Sequence, residues 1–111
     1  MSTTHSRAET TDPDAAVLYG LTAFQRDALT AVAGTDDPCG LDLKAHLEDA
    51  YGKTVQHGRL YPNLDTLVDK GLVEKGAKDQ RTNLYRLTDR GRRVLESDVQ
   101  WRRTQLGEVS E

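Results

Sequence analysis

Cysteine occurs once in the 111 residues, at Cys39. An internal disulfide is excluded, and the chain suits a reducing compartment. No apolar run reaches the ~18 residues of a membrane-spanning helix. The first residues, "MSTTHSRAETTDPDAA", lack an apolar signal core, so a cytoplasmic location is expected and secretion is not. Large apolar groups are scarce as well: one Trp, one Phe and a hydrophobic content of 36%. The core must therefore be modest, and a partner subunit could add apolar burial. The three histidines, His5, His46 and His57, share no ligand spacing, and no metal site is expected. No nucleophile–base pair, glycine-rich phosphate loop or paired catalytic carboxylates stand out, so neither an enzyme nor a cofactor is expected.

Positive charge is also in deficit, with 15 Lys and Arg against 18 Asp and Glu. The deficit is uneven. Residues 1–52 carry a net charge of −6, residues 53–93 a net of +5, and residues 94–111 a net of −2. A single basic segment between acidic ends is the footprint of a local anionic partner. Aspartate outnumbers glutamate twelve to six and arginine outnumbers lysine ten to five. That balance resembles the surfaces of proteins from salt-loving archaea.

Residues 1–13, rich in Ser, Thr and Asp, read as a disordered tail. "AAVLYGL" (Ala15–Leu21) is too apolar to hang free. Thr22 and Gln25 have capping-box spacing, with Leu21 as the staple, and Phe24, Ala28, Leu29 and Val32 give the buried face of a first helix ending at Gly34. A second helix carries Leu43, Leu47 and Tyr51 at spacing four and closes at Gly52; its Lys44 and Glu48 are spaced for an exposed ion pair. A third is expected to start near Gly58 or Arg59, because Pro62 then falls close to the first turn, where a missing N–H is tolerated. Leu60, Leu64, Leu67 and Val68 face inward, Gly71 stops the helix, and Arg59, Tyr61 and Asn63 form its polar side. Two short strands follow, joined by the polar "GAKDQRT". A last helix, capped by Thr88, runs from about Asp89 to Leu106. The fold class is mainly α with a small β-hairpin (α+β): a winged helix-turn-helix over residues 14–88, then a C-terminal dimerisation helix over 89–111.

The stretch from Gly40 to Gly76, with "TNLYRLTDRGRRVL" beyond it, resembles PadR-type winged-helix transcription regulators. The resemblance rests on Leu60, Tyr61, Pro62, Leu64, Leu67, Gly71 and Leu72, then on Tyr85, Leu87, Thr88 and Gly91, and covers about residues 22–95. Within the family the likeness is to oxidant-responsive regulators of haloarchaea, which implies a role in oxidative stress. The chain ends soon after Trp101, leaving room for a single C-terminal helix. Any effector pocket built between further helices is not expected.

Double-stranded DNA with a pseudo-palindromic operator is the expected partner. Base readout falls first to Arg59, which can bridge guanine O6 and N7, and second to Asn63, which can bridge adenine N6 and N7. Gln56, His57 and Tyr61 sit beside them, Lys44 could reach a phosphate, and Lys75, Lys78 and Arg81 would place the wing on the backbone or in the minor groove. Asp79 at the wing tip speaks against this. Leu95, Val99, Trp101 and Leu106 are too many apolar groups for one small domain to cover, so a homodimer is expected through the last helix. Winged helices also serve as protein–protein modules, the alternative reading. Cys39 has no second thiol to resolve against and is not expected to sense oxidant.

Overall fold

The structure, a computed structural model, describes residues 13–108. The expected tail lies outside the described residues, except for Pro13, which opens a helix. The order is α1 (Pro13–Tyr19), α2 (Ala23–Ala33), α3 (Gly40–Tyr51), α4 (His57–Asp69), β1 (Val73–Ala77), β2 (Asn83–Leu87) and α5 (Asp89–Gln105). The strands pair antiparallel, with Val73 opposite Leu87 and Lys75 opposite Tyr85. This is the expected α+β winged helix. No helix among the described residues is long and apolar enough to cross a membrane.

Helix ends follow local chemistry. Thr22 accepts from the Gln25 amide at 3.1 Å while Gln25 Oε1 accepts from the Thr22 amide at 3.0 Å, a complete capping box. Gly52 and Gly71 adopt φ of 70° and 75° where the chain leaves α3 and α4, the left-handed region that glycine enters without a Cβ penalty. The apolar "AAVLYGL" stretch becomes α1, with Leu18 and Leu21 in the core and α1 lying along α5.

Pro62 sits differently from the expectation. Because α4 already starts at His57, Pro62 is its sixth residue, in the second turn. Its missing N–H leaves the Gly58 carbonyl without its helical donor. The site tolerates this because Pro62 is exposed and residue 58 carries no side chain.

Leu29, Leu43, Leu60, Leu64, Leu67, Leu72 and Val94 are each 0% exposed and form the centre of the core. Val94 belongs to α5, so the first turns of that helix pack as part of the winged-helix body, across the boundary expected at residue 88. Gly91 makes this possible: a Cβ there would collide with the Leu72 carbonyl. The loop before α3 adds an edge to the wing that the sequence did not announce. Cys39 bridges Leu84, and the Tyr85 amide donates to the Pro38 carbonyl at 2.8 Å.

Helices α2 and α3 are tied by Tyr51, whose hydroxyl donates to Asp27 Oδ2 at 2.5 Å. Burial, then the hydrogen bond to Asp27 and its charge, push the Tyr51 phenol up to about 12, against a smaller opposing pull from Arg59.

Gly91→Ala should destabilise the fold by about 1–3 kcal/mol or more, since the obstacle is backbone that cannot rotate away. Gly76→Ala, where nothing lies within 4 Å of the added methyl, should stay within about 0.5 kcal/mol. Equal shifts in urea midpoints would refute the Gly91 argument. For Tyr51, the neutral phenol is favoured in the fold. Its contribution is complete below the unfolded value of 10.0 and is lost as pH rises from there through about 12. Burial also raises the Tyr85 phenol, so ultraviolet difference titration should show more than one late-ionising tyrosine, and Tyr51→Phe should remove one of them.

Candidate nucleic-acid interface

The site is built on α4 and the wing. With Leu60, Leu64 and Leu67 turned inward, a rotation of ~100° per residue sends the outward line of α4 through Gly58, Pro62, Asp65 and Asp69. All four are exposed. This corrects the expectation that Arg59, Tyr61 and Asn63 share the outer face. They straddle it. Arg59 and Asn63 lie on the flank beside α2, and His57 and Tyr61 on the flank beside the start of α3.

On the α2 flank the Arg59 guanidinium stacks 4.1 Å from the centroid of the Phe24 ring. It has no hydrogen-bond acceptor among the described residues. Stacking uses the π face and leaves the in-plane N–H groups free, the arrangement bidentate contact requires. Asn63 is committed elsewhere. Its Nδ2 donates to the Arg59 carbonyl at 2.6 Å and its Oδ1 accepts from Gln25 Nε2 at 2.9 Å. On the other flank the His57 and Tyr61 rings stack at 5.9 Å, 5° from parallel. Gly40 lets the Tyr61 ring close onto α3, since a Cβ there would collide with the Tyr61 hydroxyl. Gln56 precedes the helix with an exposed side chain that makes no cap hydrogen bond.

The tip of the wing displays two cations and uses its acid to fold itself. Asp79 Oδ1 accepts from the Arg81 and Thr82 amides, each at 2.9 Å, which folds the tip. The Arg81 amide bond first, with the Thr82 amide and the Lys78 charge, holds the Asp79 carboxyl below the usual range. The carboxylate that counted against the wing is thus tied to the amides of the tip but stays exposed and charged, with Lys78 and Arg81 exposed beside it. Lys75 pairs with Asp65 at 3.1 Å, linking wing to α4, and that hydrogen bond raises its pKa. Lys44 pairs with Glu48 at 2.7 Å, and Glu48 also accepts from the Val55 amide. The pair is part-buried, where an exposed one was expected, because Glu48 anchors the turn into α4. Of the four expected dimer residues, Leu95, Val99 and Leu106 recur along one stripe of α5. Trp101 stands apart and meets the Tyr19 ring edge-on at 6.3 Å.

The comparisons with known proteins bear on family and fold. Residues 29–97 match the model of the transcriptional regulator PadR-like family. A structure of H. salinarum RosR grown from NaBr is 47% identical, with a TM-score of 0.76, covering 81% of each chain. The hsRosR-SG complex structure is 49% identical, with a TM-score of 0.74 over 77% of this chain and 75% of that one. The PcaV transcriptional regulator from Streptomyces coelicolor, 21% identical at a TM-score of 0.55 over 81% of this chain and 64% of that one, shares the fold. No curated protein sequence matches the chain. The chain belongs to the PadR-like family of transcriptional regulators, DNA-binding proteins and not enzymes.

Proposed function

We propose that the protein is a dimeric regulator that reads a pseudo-palindromic operator, with the start of α4 in the major groove and the wing on the backbone or in the minor groove. The observation that carries this is Arg59: a guanidinium stacked on Phe24, with its donors unused, beside the N-terminus of a helix whose outer face is bare over its first two turns. Helices of this class present their N-terminal residues to base edges. Gln56, His57 and Tyr61 contact DNA on the opposite flank. Asn63 holds Arg59 in place through its carbonyl, a positioning role in place of the expected base contact. Lys78 and Arg81 take phosphates, Lys75 acts from the base of the wing, and Lys44 stays with Glu48. The oxidant-response role and cytoplasmic location expected from the sequence belong to this proposal.

Dimerisation uses the stripe Leu95, Val99 and Leu106, with Trp101 and Tyr19 at its edge. Val99, Trp101 and Leu106 are 47%, 48% and 74% exposed in one chain. A groove of about 320 Å³ lies along Leu95 and Val99. Large apolar groups in such a row need a covering surface, and a symmetric copy supplies the same stripe.

Binding to the DNA upstream of its own coding region, followed by anisotropy, tests the first reading. Arg59→Ala should weaken specific binding by about 1–3 kcal/mol and relax discrimination at one base pair per half-site, while Lys78→Ala should weaken all sequences alike. An Arg59→Ala effect equal on every sequence would make Arg59 a phosphate contact. Sedimentation tests the second: the wild type should be a dimer at micromolar concentration and Val99→Asp a monomer. A wild-type monomer would refute the interface.

A further inference from the structure

A cleft of about 270 Å³ opens where the base of the wing meets the start of α3, and Gly40, Tyr61, Asp65, Lys75, Arg81 and Tyr85 give it its chemistry. Tyr85 is the unusual member. It is 2% exposed, yet its hydroxyl has no hydrogen-bond partner among the described residues. The side chain is buried but its oxygen is reached by solvent, so the hydroxyl is open to a ligand. Lys75 lies directly opposite Tyr85 in the strand register, and the Lys75, Asp65 and Tyr61 groups are its electrostatic neighbours. The phenol end therefore looks into the cleft and away from the core.

The surroundings are rich in donors. The Tyr61 hydroxyl, also unpartnered among the described residues, lies over Gly40 at the first turn of α3. Helix N-termini carry free N–H groups and favour anions. The single acid of that first turn, Asp42, is turned onto the Cys39 amide at 3.0 Å and does not line the cleft. Lys75 and Asp65 offset one another, and Arg81 has no ion pair among the described residues, which leaves one net positive charge. Two phenols, an ammonium, a guanidinium and a helix end converge from several sides, so the fitting ligand is an anion with oxygens on several sides.

We propose that this cleft is a phosphate site, and that on the operator it holds one DNA backbone phosphate per half-site between the wing and the start of α3. The proposal rests on the DNA-binding reading above and deepens it, with Tyr85 as a contact residue hidden in the wing. Free inorganic phosphate offers the same oxygens, so the test must separate the two sources.

Tyr85→Phe removes one oxygen and keeps the ring. Operator duplexes carrying a single neutral methylphosphonate at successive positions are titrated against wild type and variant. Tyr85→Phe should weaken binding about tenfold, the scale of a hydrogen bond to a charged group. One methylphosphonate position per half-site should weaken the wild type comparably and have no further effect on the variant. Should Tyr85→Phe melt early, Arg81→Ala on the exposed wing must pick out that same position. Wild-type affinity in the variants, or methylphosphonate penalties that add in full at every position, would overturn the proposal. Free phosphate titrated into DNA-free protein is followed by the amide resonances of Gly40 and Arg81. Saturation at millimolar phosphate without any methylphosphonate coupling would assign the cleft to a free anion and overturn the DNA source. A wild type that binds no operator would refute the DNA-binding reading itself, visible before any variant is measured.

Discussion

The close approach of Gly91 to the Leu72 carbonyl is the constraint on which the architecture depends. Four chain segments meet there: the exit from α4, the start of β1, the end of β2 and the first turn of α5. Thr88 binds three of them. Its amide donates to the Leu72 carbonyl at 3.1 Å, its hydroxyl donates to the Gly71 carbonyl at 2.8 Å, and the same hydroxyl accepts from the Gly91 amide at 2.9 Å. Arg90 Nη1 adds a bond to the Lys70 carbonyl at 2.9 Å. Carbonyls that the end of α4 leaves unpaired are thereby satisfied, and one residue caps α5 while closing the hairpin. The angle of the wing to α4, and of the α5 stripe to both, is set by this junction. In the proposed symmetric dimer it would also set the separation of the two α4 helices.

The basic segment looks different once its partners are known. Residues 53–93 carry a net +5 in the sequence, but Lys75 is paired with Asp65 and Arg86 with Asp37. These pairs are exposed and contribute little to stability. Their effect is on location: they join the wing to α4 and to the loop before α3. Fewer cations then remain for counterion release, which contributes a slope of about −0.9 per phosphate neutralised. Binding must draw more on hydrogen-bond donors and fit. This suits a surface whose aspartate excess resembles that of proteins working at high salt, where the electrostatic term is already weak.

Elements were legible in the sequence where a local rule decides them. The Thr22 and Thr88 caps, the Gly52 and Gly71 stops and the leucine row of α4 depend on residues within one turn of each other. The sequence could not show which flank of α4 carries Arg59, because that turns on Phe24, 35 positions earlier. Nor could it show that Asp79 folds the tip by accepting from the Arg81 and Thr82 amides, since that turns on the geometry of the loop. The Cys39–Leu84 bridge and the unpartnered Tyr85 hydroxyl are long-range facts of the same kind. Pro62 misled for a simpler reason: the helix starts at His57, one or two residues earlier than its glycine suggested, and that displaces the proline by part of a turn.

The displaced proline bears on how α4 can meet DNA. Its outward line begins with Gly58 and Pro62, which offer no long side chain, so the backbone of the first two turns can lie close to a groove floor. The donors stand on either side, Arg59 on one flank and His57 with Tyr61 on the other. Asp65 and Asp69 come next on the same line, and their charge repels phosphate unless the helix axis tilts its C-terminal end away. A bare N-terminal half and an acidic C-terminal half together favour an end-on approach, with the N-terminus inserted and the C-terminus lifted. The same tilt lowers the wing base, with Tyr85 and Arg81, toward the flanking backbone. In the proposed complex, helix, cleft and wing then engage one stretch of duplex together, which neither the leucine row nor the hairpin could arrange alone.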